Sequence, residues 1–215
     1  MIDLTTRYMG LELKNPLVVS SCGLPKTVEV VQQAAEAGTG AIDLKSLFEE
    51  QIQLENLEHH QSNENYGDRH AEMGSMFPEI EHAGPEEYLY NIAKAKQALS
   101  IPVIASYNCV YDDTWYEYGK KLEDVGVDAL ELNFYSVPRE FDIDDNSILM
   151  EQLDTLEGVI KTVNIPVSVK LSPYYTSPLY CMGEMDKRGV GALVMFNRLF
   201  QPDIDLDKET LHYPY

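Results

Sequence analysis

The sequence has 215 residues, 44% hydrophobic and 24% charged, a balance typical of one globular domain rather than a disordered or fibrous chain. Its 16 Lys and Arg residues stand against 36 Asp and Glu residues, which gives a formal net charge of -20 at pH 7. A phosphate backbone or an anionic membrane would be repelled on average, so neither a nucleic acid nor a membrane is an expected partner. Solubility alone can explain the acidic excess, but the excess gives weight to any Lys that lies inside the fold.

The first residues, MIDLTTRYMG, show no basic segment followed by an apolar one, and no stretch approaches the length that spans a bilayer. We therefore expect a cytoplasmic protein. The three cysteines, Cys22, Cys109 and Cys181, are far apart and form no C-x-x-C, which predicts reduced thiols without a disulfide framework, a zinc site or an iron–sulfur centre. The adjacent His59 and His60 have no third ligand at a matching spacing, so a solvated helix face is expected there and no metal site.

The chain begins with DLTTRYMGLELKNP, which predicts two short strands around a Met-Gly turn. Beyond it, short apolar segments alternate with amphipathic ones, a pattern typical of βα units and a parallel sheet. The predicted strands are LVVS (17–20), AIDLK (41–45), PVIAS (102–106), ALELN (129–133), PVSVK (166–170) and ALVMF (192–196). They are apolar at nearly every position, which predicts burial on both faces. The predicted helices cover 27–37, 86–98, 113–124, 147–162 and 178–188.

Local signals support these elements. Thr27 is a predicted N-cap, and Gly126 and Gly189 each end a helix just before a strand, where a left-handed cap costs little. The phrases at 99–106 and 163–170 both carry Ile-Pro, which fixes an extended entry into the strand. Such internal similarity favours a barrel over an open sheet.

The polar stretch 48–85 departs from this pattern. A compact α/β unit needs only a few residues after its strand, so we expect this stretch to be an insertion, either a functional lid or a disordered segment. The rest of 1–215 is predicted to form one domain with it.

Polar residues recur at the carboxyl ends of the predicted strands, the edge at which the active site of a (β/α)8 barrel lies. They are Ser20, Ser21 and Gly23; Lys45 and Ser46; Ser106 and Asn108; Asn133; Lys170; and Asn197. A Lys after an apolar strand needs a negative partner, which is either a ligand or a Glu at the barrel mouth. The Asn side chains suit a planar, amide-rich ring, although each alone is also typical of a loop or cap.

Five phrases in order and spacing resemble the motifs of the dihydroorotate dehydrogenase family over essentially the whole chain: LELKNPLVVSSCG, AIDLKSL, DALELNFYSVP, PVSVKLSPYY and GALVMFNRLFQPDID. The chain looks closest to the bacterial dihydroorotate dehydrogenase-like proteins, which share the phrases LKSLFEEQI and FNR. The resemblance implies a TIM (β/α)8 barrel of the FMN-linked oxidoreductase type. It also implies oxidation of dihydroorotate or a similar small molecule by hydride transfer to flavin, a step of pyrimidine biosynthesis.

The resemblance assigns roles to the residues at the strand ends. Lys170 is expected at the flavin N1/O2 edge, where a cation stabilises the negative charge of the reduced ring, and Lys45 at the ring edge or the substrate. The residues expected to bind FMN are Ser20, Ser21, Gly23, Lys45, Ser46, Asn133 and Lys170. Those expected to bind the substrate are Lys45, Asn108 and Asn197.

The loop after the fourth predicted strand carries the expected catalytic base. The authentic enzymes have Asn-x-Ser-Cys-Pro-Asn or Asn-x-Ser-Ser-Pro-Asn there, and this chain has NFYSVPR at 133–139. Ser136 aligns with the base, while the Pro is displaced by one residue and the second Asn is missing. A Ser hydroxyl is a poor base without a group that takes its proton, and Tyr135 is an alternative proton donor.

Six predicted strands do not close an eight-stranded barrel, so we expect a barrel truncated after about six β/α units. An open sheet exposes its edges, which predicts either poor solubility or association into a homo-oligomer. The loops after strands seven and eight usually form the phosphate site of such a barrel, so we also expect weakened FMN retention. Two other functions stay open: a non-catalytic flavin-binding or scaffold protein, and an aldolase-like barrel in which Lys170 forms a Schiff base.

Overall fold

The computed structural model describes residues 2–22, 27–49, 51–53, 85–134, 144–197 and 203–212. Six parallel strands alternate with helices, and an antiparallel hairpin lies before them and another after them. The strands are β1 (Thr6–Tyr8), β2 (Leu11–Leu13), β3 (Val18–Val19), β4 (Ala41–Phe48), β5 (Val103–Asn108), β6 (Ala129–Asn133), β7 (Val167–Leu171), β8 (Ala192–Met195), β9 (Asp203–Asp205) and β10 (Thr210–His212). The helices are α1 (Val28–Glu36), α2 (Pro85–Ala98), α3 (Asp112–Asp124), α4 (Asp145–Thr162) and α5 (Pro178–Lys187).

The parallel sheet has the order β3-β4-β5-β6-β7-β8, so each strand pairs with the strand that follows it in the chain. Between successive strands the chain crosses over through a helix, which is the βαβ connection that a parallel pair requires. The strands and helices predicted from the sequence are therefore confirmed, with ends that differ by at most three residues. This succession is the architecture of an α/β barrel.

One face of the sheet, here called the helix face, is apolar and packs against the helices. Alternate residues of β5, β6 and β7 belong to it, and they share one buried core with side chains of α3, α4 and α5, namely Leu122, Leu156 and Met185. The strand residues of this face are Val103, Ala105, Tyr107, Leu130, Leu132, Val167, Val169 and Leu171. Each large aliphatic side chain buried here stabilises the fold by about 1.5–3 kcal/mol.

The opposite face, here called the inner face, is polar over much of its area. At its lower end Met9, at the turn between β1 and β2, packs on Ile104 and Ala129. Towards the carboxyl ends of the strands the same face carries buried polar side chains, namely Asp43, Ser46, Ser106, Glu131, Asn133, Ser168 and Lys170. The predicted burial on both faces is confirmed for β5, β6 and β7, but on the inner face part of what is buried is polar, because period-two alternation places these polar residues together there.

The local signals read from the sequence are confirmed. The Thr27 side chain accepts a hydrogen bond from the backbone N–H of Val30 at 3.5 Å, which caps α1. Gly126 and Gly189 have φ angles of 91° and 86° just after α3 and α5, in the left-handed region that a residue without a Cβ adopts easily. The predicted first hairpin is present, and its strands pair with Thr6 opposite Leu13.

The predicted insertion 48–85 is shorter at both ends than expected, because Phe48 still belongs to β4 and Pro85 already belongs to α2. The part between residues 54 and 84, with His59 and His60, lies outside the described residues. Its role as a lid or insertion stays a prediction. None of the described helices is long and apolar enough to cross a membrane.

The strands at the two ends of the sheet, β3 and β8, do not pair with each other within the described part of the chain. Large apolar side chains are exposed close to both strands: Leu17 is 67% exposed and Met195 is 61% exposed. Association of the chain with itself stays a prediction.

Candidate functional site

The carboxyl ends of the parallel strands bring most of the predicted site residues together. Hydrogen bonds connect the ends of β4, β5 and β6 with one another, with Ser21 after β3 and with Asn197 after β8. Three of the predicted residues, Ser46, Asn133 and Lys170, are buried, whereas Ser20 is exposed. The cluster has two parts. The first, here called the Asn group, consists of Asn108, Asn133 and Asn197 at the ends of β5, β6 and β8. The second consists of Ser and carboxylate side chains on or next to β3, β4, β5 and β6.

Asn133 is the centre of the Asn group. Its backbone oxygen accepts a hydrogen bond from Asn108 Nδ2 at 2.6 Å, and its side-chain Oδ1 accepts one from Asn197 Nδ2 at 2.8 Å. The backbone N–H of Asn197 is fixed by the carbonyl of Leu171 at 2.7 Å. Three amide atoms have no hydrogen bond to another described residue: Nδ2 of Asn133 and the Oδ1 atoms of Asn108 and Asn197. One donor and two acceptors therefore remain for a ligand.

A chain of hydroxyl groups crosses the inner face next to this group. Ser21 Oγ lies 3.0 Å from Ser46 Oγ, and Ser46 Oγ lies 2.7 Å from Ser106 Oγ. Ser106 Oγ in turn donates to Glu131 Oε1 at 3.0 Å. This hydroxyl chain runs from Ser21, which is half-buried after β3, to the Glu131 carboxylate, which is 4% exposed.

A β-bulge in β4 gives Ser46 its position. Leu44 pairs with Ala105 and Leu47 pairs with Tyr107, so the two residues between them, Lys45 and Ser46, lie opposite the single residue Ser106. An extra residue in one strand changes the direction in which its side chains point, and bulges of this kind are frequent beside active sites. Lys45 is half-buried and forms no ion pair with any residue of the described ranges.

Lys170 pairs with a carboxylate of the neighbouring strand. Its Nζ lies 3.5 Å from Glu131 Oε1, and the side chains are 10% and 5% exposed. Of the two partners left open by the sequence, a Glu is therefore present. A ligand is still possible at Lys170, because an ammonium group has three donors and a single contact at 3.5 Å does not use them all.

Asp43, on β4, adds a second carboxyl to this buried group. Burial raises the pKa of the Asp43 carboxyl well above its usual value, and the negative charge of Glu131 raises it further. The backbone N–H of Ser21 donates to Asp43 Oδ2 at 3.0 Å, whereas Oδ1 is buried without a hydrogen-bond partner. Burial also raises the pKa of the Tyr8 hydroxyl, whose side chain lies beside Ser168.

Sequence reasoning missed Asp43, Glu131 and Ser168, because it examined only the last residues of each strand. Their signal was present: a carboxylate in the middle of an apolar strand is costly unless it is paired. In ALELN and AIDLK the carboxylate is two residues before a predicted site residue, Asn133 and Lys45 respectively. Period two places the first of these pairs, Glu131 and Asn133, on the same face.

Other predicted features lie outside the described residues, namely Gly23, Tyr135 and the predicted base Ser136. Their roles stay predictions. No disulfide joins the three cysteines, and the described ranges contain no group of three or more His, Cys, Asp or Glu residues that could hold a metal ion.

Comparison with curated proteins finds relatives that share one name. The catalytic subunit of dihydroorotate dehydrogenase B (NAD(+)) from Methanocaldococcus jannaschii is 30% identical over 213 residues, which cover 94% of this chain and 65% of that protein. The protein of the same name from Thermoplasma volcanium is 28% identical over 218 residues, which cover 96% of this chain and 65% of that protein. This chain is a relative of the dihydroorotate dehydrogenases.

The relationship to the dihydroorotate dehydrogenase family that the sequence phrases predict is thereby confirmed, while the resemblance to a bacterial subgroup stays a prediction. The chain spans about 65% of the length of these two relatives. No model of a known protein family matches the sequence.

Solved structures support the fold alone. A phosphonopyruvate hydrolase in complex with oxalate and Mg²⁺ superposes with a TM-score of 0.55 at 13% identity, over 88% of this chain and 61% of that one. A putative dihydrodipicolinate synthetase from Pseudomonas aeruginosa superposes with a TM-score of 0.50 at 11% identity, over 80% of this chain and 51% of that one. Both likenesses support an α/β barrel for this relative of the dihydroorotate dehydrogenases.

Proposed function

We propose that this chain is an FMN-dependent oxidoreductase of the dihydroorotate dehydrogenase type, which oxidises dihydroorotate or a similar substrate by hydride transfer. The observation that carries the proposal is the group formed by Lys170 and Asn133, which are paired in register at the ends of β6 and β7, together with Asn108 and Asn197. The relationship to dihydroorotate dehydrogenases supplies the reaction class.

The atoms of this group fit the pyrimidine edge of a flavin. That edge has two carbonyl oxygens that accept hydrogen bonds and one ring N–H that donates. Asn133 Nδ2 and the Lys170 ammonium can donate to the carbonyl oxygens, and Oδ1 of Asn108 or Asn197 can accept from the ring N–H. When bound, FMN supplies the acceptor for the hydride.

The side chains of this protein then bind the cofactor, orient it and compensate the negative charge of its reduced ring. Lys170 stabilises negative charge at the ring edge, because a cation that is nearly excluded from water interacts strongly with a neighbouring anion. Asn197 holds the side-chain amide of Asn133 and Asn108 holds its backbone oxygen, so the amide is oriented before a ligand arrives. Ser136 is the proposed base that takes the substrate proton, and Ser20, Ser21, Gly23, Lys45 and Ser46 are proposed to line the cofactor.

The names of the relatives also bear on the electron acceptor. They are called catalytic subunits of NAD(+)-dependent enzymes. For this chain we accordingly propose NAD⁺ as the final acceptor, reached through a partner subunit.

The test is an anaerobic visible spectrum of the purified chain with added FMN, recorded before and after dihydroorotate. We expect a protein-bound flavin spectrum that bleaches with dihydroorotate. A bound spectrum that does not bleach would retain the cofactor and reject this substrate. The absence of bound flavin would reject the proposal and favour the scaffold function.

Variants test the residue assignment. Lys170→Ala is expected to lower both flavin content and flavin reduction, because the ring edge loses its cation. Lys187→Ala is the control, since the Lys187 side chain is 72% exposed on α5 and forms an ion pair with Glu184 on the same helix. If Lys170→Ala behaves like the control, Lys170 does not contact the flavin. Borohydride trapping with a carbonyl substrate would reveal the Schiff-base alternative at Lys170.

A further inference from the structure

The hydrogen bonds of the hydroxyl chain have a fixed direction. Ser106 Oγ donates to Glu131, and a hydroxyl has one proton, so Ser46 Oγ donates to Ser106. The proton of Ser46 is thereby used, and Ser21 Oγ donates to Ser46. Ser21 Oγ also accepts the backbone N–H of Ser46 at 3.0 Å. All hydroxyl protons in the chain therefore point from the end of β3 towards the buried carboxylate.

At the inner end of the hydroxyl chain lie two buried carboxyl groups, those of Asp43 and Glu131. Two ionised carboxylates have no donor between them, and Asp43 Oδ1 is accordingly buried without a partner. One proton on the pair supplies the missing donor, and burial together with the negative charge of Glu131 raises the pKa of the Asp43 carboxyl, which favours that proton on Asp43. The Lys170 ammonium contacts Glu131 at 3.5 Å and forms no ion pair with Asp43.

We propose that Ser21, Ser46 and Ser106 form a proton path. It connects the solvent-facing carboxyl ends of the strands, here called the rim, with a proton shared by Asp43 and Glu131. The inference rests on the proposed function for its use, since oxidation of a C–C bond by hydride transfer also removes a proton from the neighbouring carbon. Its geometry is independent of that function.

One passage along the path moves one proton and leaves every hydroxyl intact. Ser106 Oγ gives its proton to Glu131, Ser46 gives its proton to Ser106, and Ser21 gives its proton to Ser46. Ser21 is restored by a proton from water at the rim, which leaves a hydroxide ion in the solvent. The reverse passage begins at the carboxyl pair and releases a proton from Ser21 to water. No bond other than O–H is formed or broken, and no oxidant is needed.

The groups that face the pair from each neighbouring element determine its proton affinity. Lys170 on β7 contributes a positive charge that favours the ionised form of Asp43. Tyr8 on β1 and Tyr88 on α2 are neutral at physiological pH, because burial raises the pKa of each hydroxyl and the charges of Glu131 and Asp43 raise it further. The Tyr88 hydroxyl donates to the backbone oxygen of Ser106 at 2.9 Å and so takes no part in the path.

The experiment follows the shared proton by infrared spectroscopy of the full chain without flavin or substrate. The C=O band of a protonated buried carboxyl is assigned by its loss in Asp43→Asn, and its isotope shift is timed after mixing with D₂O. In Ser106→Ala we expect exchange to slow by roughly a hundredfold or more. Without the path, exchange must wait for local opening of core strands, which costs several kcal/mol.

Ser168→Ala is the matched control, since Ser168 is also buried on the inner face but donates to the Leu130 carbonyl, outside the path. It should exchange like the unsubstituted chain. Ser46→Ala breaks the path at a second point and serves if Ser106→Ala does not fold. The proposal is overturned if both path variants exchange at the unsubstituted rate, or if no protonated carboxyl band exists down to the pH of acid unfolding. Failure of the proposed oxidoreductase would appear instead in the FMN spectrum, which this experiment does not use.

Discussion

The helix face and the inner face of the parallel sheet are made by alternate residues of the same strands, yet they have opposite chemistry. In β6, Leu130 and Leu132 lie in the core under the helices, while Glu131 and Asn133 between and after them belong to the polar group. The apolar side chains stabilise the fold by excluding water. The polar side chains are costly to bury unless they are hydrogen-bonded or ion-paired with one another. Such a buried polar group is typical of a functional site.

The strongest disturbance of this division is a buried charge left without its partner. We expect Lys170→Met to lower the free energy of unfolding by about 3–5 kcal/mol, because Glu131 then stays buried beside Asp43 without a cation. Urea denaturation measures the change. The double variant Lys170→Met/Glu131→Gln should recover most of it, since the charge itself is removed. A single variant as stable as the double one would show that the pair is not coupled.

Leu130→Ala tests the helix face at the residue next to Glu131. Leu130 is fully buried, so deletion of its side chain is expected to cost about 2–5 kcal/mol of unfolding free energy. Ser168→Ala on the inner face should cost only about 1 kcal/mol, because it removes one hydrogen bond and no large volume. Parallel denaturation curves provide the comparison. Equal losses in both variants would contradict the division into an apolar and a polar face.

The sequence predicted the helix face well and the inner face poorly, and the cause is physical. Apolar strands, Ile-Pro entries and Gly caps are local signals, so β5, β7, Gly126 and Gly189 were located without knowledge of the rest. The polar group depends on which strands are neighbours. Ser21, Ser46 and Ser106 are far apart in the chain, and only the sheet order brings their hydroxyls into contact.

Ser46 was predicted at a strand end, but the bulge between Leu44 and Leu47 that orients its side chain was not, because AIDLKSLF carries no residue-level signal for it. Lys170 was predicted with two possible partners, and only the structure shows Glu131 beside it. Asn108, Asn133 and Asn197 were each ambiguous alone, and their mutual hydrogen bonds join them into one group.

The pH dependence of stability sharpens the contrast between inner and outer acids. The pKa of Asp43 is raised in the folded state, so the folded chain holds this proton more tightly and loses stability as pH rises from about 3.8 through the raised value. Asn imitates the protonated carboxyl. The stability of Asp43→Asn minus that of the unsubstituted chain should therefore grow with pH, by up to about 1.4 kcal/mol per pH unit.

Thermal or urea unfolding at several pH values measures this difference. The exposed N-cap Asp144 is a control of opposite sign, since hydrogen bonds from Ser147 lower its pKa and its contribution is lost as pH falls through the lowered value. Parallel pH profiles for Asp43→Asn and the unsubstituted chain would show that Asp43 is not protonated in the fold.

The smallest expected change in stability comes from Gly→Ala substitutions in two of the helices that cover the helix face, α5 and α4. A Cβ added at Gly183 in α5 meets no atom within 4 Å, so Gly183→Ala should stabilise the chain by about 0.5–1 kcal/mol through helix propensity alone. Gly158 in α4 is the counterpart, because a Cβ there would overlap the ring of Tyr116 on α3. The same substitution should therefore be destabilising at Gly158, as overpacking displaces the ring. Melting temperatures that rise for both variants would mean that α3 and α4 do not pack as closely as the structure shows.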